Sequence, residues 1–223
     1  MSLISSLKAR PLNRGEGTLR DTRLFLVACD DTFAPKQYFS FLQLSRVKIH
    51  VVETDDTKSA AVYVLERLKK FEVEEDDERW MVLDTDHCIE PHHFPTFIEA
   101  ITEARQAGIK IALSRPCFEL WLLLHHVEEA ELSMLANAAE TEAKLREVLG
   151  EYNKCNLKRE HYPLASITSA ATRAERLDVQ VQGGDRPMAN TTRVYQLVKA
   201  ILASIPVAQC PEELGGKGSA IKY

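Results

Sequence analysis

Residues 24–31, LFLVACDD, and their counterpart at 80–86, WMVLDTD, decide how this chain folds. Each is an unbroken apolar run ending in acidic residues, the pattern of a strand covered on both faces rather than one alternating between core and water. Between and beyond them the period changes. Pro35 opens a helix over 35–44, with Tyr38, Phe39, Leu42 and Leu44 near helical spacing. VKIHVV at 47–52 is β-branched and reads as a second strand. Thr57 offers a capping oxygen to a helix that runs to about residue 71, with Ala60, Ala61, Val64, Leu65 and Leu68 on one face. The acidic residues 72–78 form a solvated turn before the third strand at 80–83. Phe97, Ile98, Ile101 and Ala104 pace a helix over 94–107, Gly108 suits its C-terminal cap, and IKIAL at 109–113 is a fourth strand. Such alternation predicts an α/β domain with a mainly parallel sheet flanked by helices, because parallel neighbours need a crossover that lays a helix on the sheet.

From Ser114 the character changes. Ser-Arg-Pro at 114–116 can start a helix, and CFELWLLLHH at 117–126 is apolar on nearly every side, so a buried helix is expected there. Helical patterns follow at 135–149, 163–177 and 191–205, with QGGDRP at 182–187 as a turn. The organisation expected is a basic N-terminal arm over 1–22, an α/β domain over 23–127, an α-helical C-terminal extension over 128–205 and a tail over 206–223. GGKG at 215–218 lacks the strand and helix that a phosphate loop requires.

Composition narrows the classes. With 45% apolar residues, 27% charged, and only 9 Gly and 9 Pro in 223 residues, the chain can bury a core of one domain with an appended part, which disordered and collagen-like chains cannot. The net charge of −5 argues against generic binding to nucleic acid or anionic lipid, so any polyanion must meet a local patch. The five cysteines are scattered without a Cys-x-x-Cys pair, which fits reduced thiols in a cytoplasmic protein. The longest apolar runs fall well below the roughly 18 residues of a membrane span, and residues 1–20 lack the apolar core of a signal peptide.

In an open parallel sheet, ligands bind beyond the C-terminal ends of the strands, and both acidic clusters lie there: Asp30-Asp31 after the first strand, Asp84-x-Asp86 after the third. If those strands are neighbours, three or four carboxylates converge. Such a cluster repels itself without a cation, and hard oxygen ligands suit Mg²⁺ or Mn²⁺. The competing reading is of solvated turns and helix caps. Glu119 sits inside the apolar stretch at 117–126, where a charge needs a partner: either the acidic pocket, or Arg115 and the helix N-terminus. His87, Cys88, His92 and His93 match no zinc spacing, and His87 is the one placed to polarise a water or a phosphate. His125 and His126 end a helix and read as structural. Lys154, Lys158, Arg159, Arg173 and Arg193 supply either a docking face for a polyanion or a solvated surface interspersed with glutamates.

Cys29 followed by an acid, Asp84-Thr85-Asp86 after an aromatic-apolar strand, GIKIALSRPCFELWLLLHH at 108–126 and NTTRVY at 190–195 together resemble the RloB-like proteins. The likeness spans about residues 23–203, and PCFELW at 116–121 with its leucine run and His125 is the most specific part. The resemblance implies a bacterial protein encoded beside restriction and abortive-infection genes, often with an ATPase partner, and a fold related to Toprim domains. Those domains hold Mg²⁺ with a Glu after the first strand and an Asp-x-Asp after a later one, and act on phosphodiesters. Carried over, the Glu falls on Asp30 and the Asp-x-Asp on Asp84 and Asp86. Where the family usually has Cys-Glu-Gly, this chain has Cys29-Asp30-Asp31, so the first carboxylate is shorter by one methylene, about 1.5 Å, and Asp31 offers a second one. The expected activity is Mg²⁺- or Mn²⁺-dependent cleavage of DNA or RNA, tRNA included, in anti-phage defence. Asp84, Asp86, Asp30 and Asp31 would be ligands, Asp30 alternatively a general acid or base, and Glu119 a support of the pocket. A homodimer is compatible with the sequence but argued by nothing in it. Two other readings stand beside this one. One is a non-catalytic adaptor for an ATPase. The other is a receiver-like phosphoacceptor with Mg²⁺ on Asp30-Asp31, the phosphoryl group on Asp84 and Ser114 sensing it, although no fifth strand with its lysine is visible.

Overall fold

The computed structural model describes residues 22–54, 58–86, 92–132 and 134–214. The expected arm over 1–22, except for its last residue, the capping Thr57, His87 with Cys88, and the glycine-rich 215–218 lie outside them. Five strands, β1 (Arg23–Cys29), β2 (Val47–Val52), β3 (Glu78–Asp84), β4 (Lys110–Arg115) and β5 (Thr191–Thr192), form one sheet in the order β2-β1-β3-β4-β5. The first four are parallel and β5 runs antiparallel to β4. The fold is thus α/β with a mainly parallel sheet, as the alternating pattern predicts. Among the described residues no helix is long and apolar enough to cross a membrane.

The apolar runs of β1 and β3 are explained by what covers them. Phe25, Val27 and Cys29 of β1 and Trp80 and Val82 of β3 face one hydrophobic cluster, while Leu26 and Ala28 of β1 and Met81 and Leu83 of β3 face another. Alternate residues point to opposite sides, and both sides are dry. The second cluster is closed by α2 (Ala61–Lys69), through Val64, Leu65 and Leu68, and by α3 (Phe94–Gln106), through Phe97, Ala100, Ile101 and Ala104. The first is closed by α1 (Phe33–Phe41), α4 (Glu119–Leu123), α6 (Leu164–Val179) and α7 (Val194–Ala203), so residues from both halves of the chain share one core.

Connectivity then fixes a crevice. From β1 the chain steps outward to β2 through α1, and from β2 it crosses back through α2 to β3 on the other side of β1. Right-handed crossovers running in opposite directions put α1 and α2 on opposite faces, and the sheet order reverses between β1 and β3.

Several boundaries differ from the sequence expectation, each for a local reason. Helix α1 starts at Phe33 rather than Pro35, since the missing N–H of Pro35 is harmless anywhere in the first turn. The helix expected over 117–126 is only the five residues of α4. Leu120 to Leu124 are fully buried because core wraps them on every side, and the carbonyl of Leu124 is taken by Arg173 Nη1 at 2.9 Å instead of a further turn. Helix α5 (Ala138–Leu149) begins three residues after the expected 135, where Asn137 caps Glu140 N–H at 2.9 Å and Glu140 reaches back to Ala136 N–H at 2.8 Å. Gly150, at φ 77°, ends it in the left-handed conformation. The helix expected from Thr191 begins instead at Val194, because the β-branched Thr191–Thr192 pair adds to the edge of β4, with Thr192 Oγ1 2.9 Å from Ser114 Oγ.

Around Tyr38 the core is polar-centred. Its ring meets Phe39, Phe118, Trp121, His125 and Tyr162 edge-on at 5.3–5.9 Å. His125 Nε2 lies 3.1 Å from Tyr38 Oη and its Nδ1 2.7 Å from Ser166 Oγ, whose own proton goes to Pro163 O. That network places the imidazole proton on Nδ1 and leaves Nε2 to accept from the tyrosine, a neutral ring. Burial holds the His125 pKa down, to about 3. The unfolded chain therefore binds this proton more readily, and folding stability is lost as pH falls from about 6.5 towards 3, by about 1.4 kcal/mol per pH unit from this group. Urea denaturation from pH 7 to 4 should accordingly give His125→Phe a lower stability at pH 7 but, between pH 6 and 4, a slope flatter by that amount; equal slopes would refute a neutral buried imidazole.

Candidate functional site

The carboxylates after β1 and β3 meet because those strands are neighbours. Cys29 is in register with Val82, and one residue further Asp30 N–H donates to Val82 O at 3.4 Å. The Asp30 carboxylate turns back onto the backbone: Oδ2 accepts from Asp84 N–H at 2.7 Å and Oδ1 from Asp31 N–H at 2.8 Å. A cavity of about 540 Å³ opens there, lined by Asp30, Asp31, Asp84, Asp86, Glu119 and Glu142 as its carboxylates. Ser59 to Val62 at the start of α2 and His93, Thr96 and Phe97 at the start of α3 form its other wall.

The electrostatics follow from crowding acids out of water. Burial pushes the Asp30 pKa up to about 7 against the lowering effect of its two backbone donors. Burial, then the charges of Asp30, Glu119 and Asp86, hold Asp84 well above the usual carboxylate range, while the backbone N–H of Phe118 works the other way. Asp84 Oδ1 is buried and has no hydrogen-bond partner among the described residues. Glu119, the first residue of α4, is buried and accepts the Tyr152 hydroxyl at 2.6 Å; Arg115 instead donates to Pro187 O. Of the two readings of Glu119, the acidic pocket is where it lies. Burial and the Glu119 carboxylate together push the Tyr152 phenol far up, so the phenol stays a donor.

Two cations temper the cluster. Lys154 Nζ pairs with Asp31 Oδ2 at 2.8 Å, and that carboxylate raises the lysine's pKa. With these side chains 44% and 35% exposed, the pair contributes less than about 1 kcal/mol. Buried Arg67 of α2 donates to Cys29 O at 2.9 Å and to Lys58 O at 3.1 Å, bringing a fixed positive charge beneath the end of β1.

Of the basic residues singled out in the sequence, Lys154 alone lines this cavity. Lys158 pairs with Glu151, Arg173 with Glu128, and partly buried Arg193 with Asp178 at 3.1 Å, while Arg159 borders a separate surface pocket with Tyr162. His87 lies outside the described residues. Tyr152, Arg67 and Glu142 were not read as site residues. Arg67 left one trace, a charge set in the apolar stripe of α2; Tyr152 and Glu142 left none, since only the tertiary fold carries Tyr152 to Glu119 and Glu142 to the cavity. Among the described residues no three His, Cys, Asp or Glu side chains stand together in metal-binding arrangement. Asp30, Asp31 and Glu119 are each turned to a protein donor instead.

A carboxyl whose folded pKa is raised opposes folding at any pH above its unfolded value, so at pH 7 Asp84 destabilises the chain, through a buried charge or through the proton it must take up on folding. Asp84→Asn, measured by thermal unfolding without divalent cations, should melt higher by about 2–4 °C, the shift expected of roughly 1 kcal/mol in a chain of this size. A lower melting point would mean that the charge is fully compensated.

No curated protein and no solved structure shows a significant match to the chain. The profile described as RloB-like protein matches residues 25–201, most of the sequence, from β1 through α7 and including Asp30, Asp84, Asp86 and Glu119. The chain belongs to the RloB-like protein family.

Proposed function

We propose that this protein is a Mg²⁺- or Mn²⁺-dependent nuclease that cleaves phosphodiester bonds of DNA or RNA at the β1–β3 crevice, in the manner of Toprim domains. The observation that carries the reading is the collection of Asp30, Asp84, Asp86 and Glu119 around one cavity at the reversal point of the sheet. A protein that gains nothing from such a cluster has no reason to bury it, and perturbed carboxylates in a cleft are a mark of function. In kind the donors suit a hard divalent cation, since all are carboxylate oxygens and Asp84 Oδ1 is buried without a partner among the described residues; no three of them stand in a metal-binding arrangement, so Asp31 and Glu119 would have to leave Lys154 and Tyr152 to join a cation. Asp84, Asp86 and Asp31 would hold the ion, which when bound would supply Lewis-acid polarisation of a phosphoryl oxygen.

The chain's own groups have further roles. Asp30, with a pKa near 7, can keep or release a proton at neutral pH, the property asked of a general acid or base. Its backbone bonds to Asp84 and Asp31 fix the carboxylate at the strand ends. Tyr152 orients Glu119 and satisfies it while no cation is near. A role in bacterial anti-phage defence, with an ATPase partner, is what the family resemblance implies for such an activity.

The receiver-like reading is disfavoured by one side chain. Ser114 is fully buried, paired with Asp84 and Thr192 within the sheet and hydrogen-bonded to Thr192 Oγ1. A hydroxyl so enclosed does not sense a phosphoryl group in the cavity.

Isothermal titration of Mg²⁺ and Mn²⁺ into wild type and Asp84→Ala/Asp86→Ala, with plasmid DNA and total tRNA cleavage on the same samples, tests the reading. Wild type should bind the metal and cut at least one substrate, and the folded double variant should do neither. Cleavage retained by the variant would refute the assignment, and a wild type that binds no metal and cuts neither substrate would favour a non-catalytic adaptor.

A further inference from the structure

The cavity is lined by six carboxylates and, among the described residues, one lysine or arginine, Lys154. A phosphodiester approaching it meets six carboxylates, and the one lysine or arginine of the lining is occupied by Asp31. Unlike an ordinary surface lysine, this one is placed by its backbone. Gln37 of α1 donates from Nε2 to Lys154 O at 2.7 Å and accepts from Leu157 N–H at Oε1, also at 2.7 Å, clasping the loop after α5 on both sides of residue 155. Asp31 is equally fixed: its Oδ1 accepts Phe33 N–H at 2.9 Å, so Oδ2 is the oxygen left to face the ammonium. The Lys154 ammonium lies 5.8 Å from the centroid of the Phe33 ring, which is 57% exposed beside the cavity and offers a flat apolar face to a base.

We propose that Lys154 is both the resident counter-cation of this site and its phosphate-binding residue. In the metal-free protein it neutralises Asp31; with Asp31 given up to a divalent cation, the ammonium turns to a phosphate oxygen of the substrate strand. The inference rests on the reading of the cavity as a divalent-metal phosphodiester site and assigns within it the group that contacts substrate. A lysine suits the exchange because its ammonium is a point charge with rotatable donors on a flexible stem, whereas an arginine fork would grip the carboxylate with two bonds. The ion pair is half exposed, and so easily broken; the clasped backbone keeps the freed side chain at the rim.

The test uses the full chain, with Mn²⁺ alone as one probe and plasmid DNA and total tRNA as the others, on wild type, Lys154→Gln and Lys154→Arg. Removing the competing cation should tighten Mn²⁺ binding by about two- to five-fold in Lys154→Gln, the worth of an exposed ion pair. Cleavage by the same variant should fall on the order of a hundredfold, as when one transition-state donor is lost, and Lys154→Arg should restore part of it. A merely structural ion pair would shift the melting curve and leave Mn²⁺ affinity unmoved or weaker; that result, or undiminished cleavage by Lys154→Gln, overturns the proposal. A wild type that binds Mn²⁺ yet cuts neither nucleic acid sinks the nuclease reading separately, and the counter-cation is then judged on the Mn²⁺ titration, where affinity unchanged or weakened in Lys154→Gln refutes it. A wild type that binds no Mn²⁺ overturns both.

Discussion

The parallel pairing of β1 with β3 is the constraint on which the site and much of the core depend. Because Cys29 stands against Val82, the chain leaves β1 where the next N–H that β3 turns towards it is that of Asp84, the last residue of β3, and the Asp30 side chain takes it. A slip of one residue would exchange Phe25, Val27 and Cys29 for Leu26 and Ala28 between the two hydrophobic clusters. The large aromatic core on one face, built round Tyr38 and Trp121, and the tighter aliphatic layer on the other therefore select the same register that brings the acids together. Core packing, rather than any attraction among the carboxylates, assembles the site.

How much of this could be read from residues alone divides along a physical line. Apolar runs and β-branched residues made β1 to β4 and their order of appearance legible, together with the acidic residues at the ends of β1 and β3, and β2 has the bounds that its β-branched residues suggest. That β1 and β3 are adjacent was a condition stated on the sequence, and the topology meets it. Uniform apolarity, by contrast, says that a segment is enclosed and not what shape it takes. The stretch at 117–126 is a short helix and a turn because Arg173, far along the chain, satisfies the carbonyl where another helical turn would have stood. The two residues of β5 escaped notice for a related reason. A pair of threonines carries too little pattern to be a strand until the edge of β4 is beside it.

Site residues separate in the same way. Acids next to strand ends are placed by local sequence, whereas Tyr152 reaches Glu119 and Lys154 reaches the cavity from the loop after α5, which one glutamine side chain clasps to α1. No periodicity encodes such a clasp. The basic residues illustrate the converse error: charge clustered in sequence was partly spent within the protein, on Glu151, Glu128 and Asp178, and so presents less of a polyanion surface than its count suggests.

What results is a site whose negative charge is balanced one carboxylate at a time. Asp30 takes two backbone donors, Asp31 a lysine, Glu119 a phenol, and the end of β1 a buried guanidinium through its carbonyl. Each compensation differs in how easily it is withdrawn. The backbone bonds to Asp30 are part of the sheet and go only if the strands part. The tyrosine and the lysine arrive on one loop, reach Glu119 and Asp31 from outside the sheet, and can move away without disturbing a strand. Asp84 has neither kind on its buried Oδ1, and its charge is opposed by three neighbouring acids. A rigid, compensated residue beside one with a bare oxygen, flanked by two whose partners are detachable, is what the proposed cation site would draw on: the fixed group would set position, the bare oxygen would supply affinity, and the two loop side chains would yield the rest.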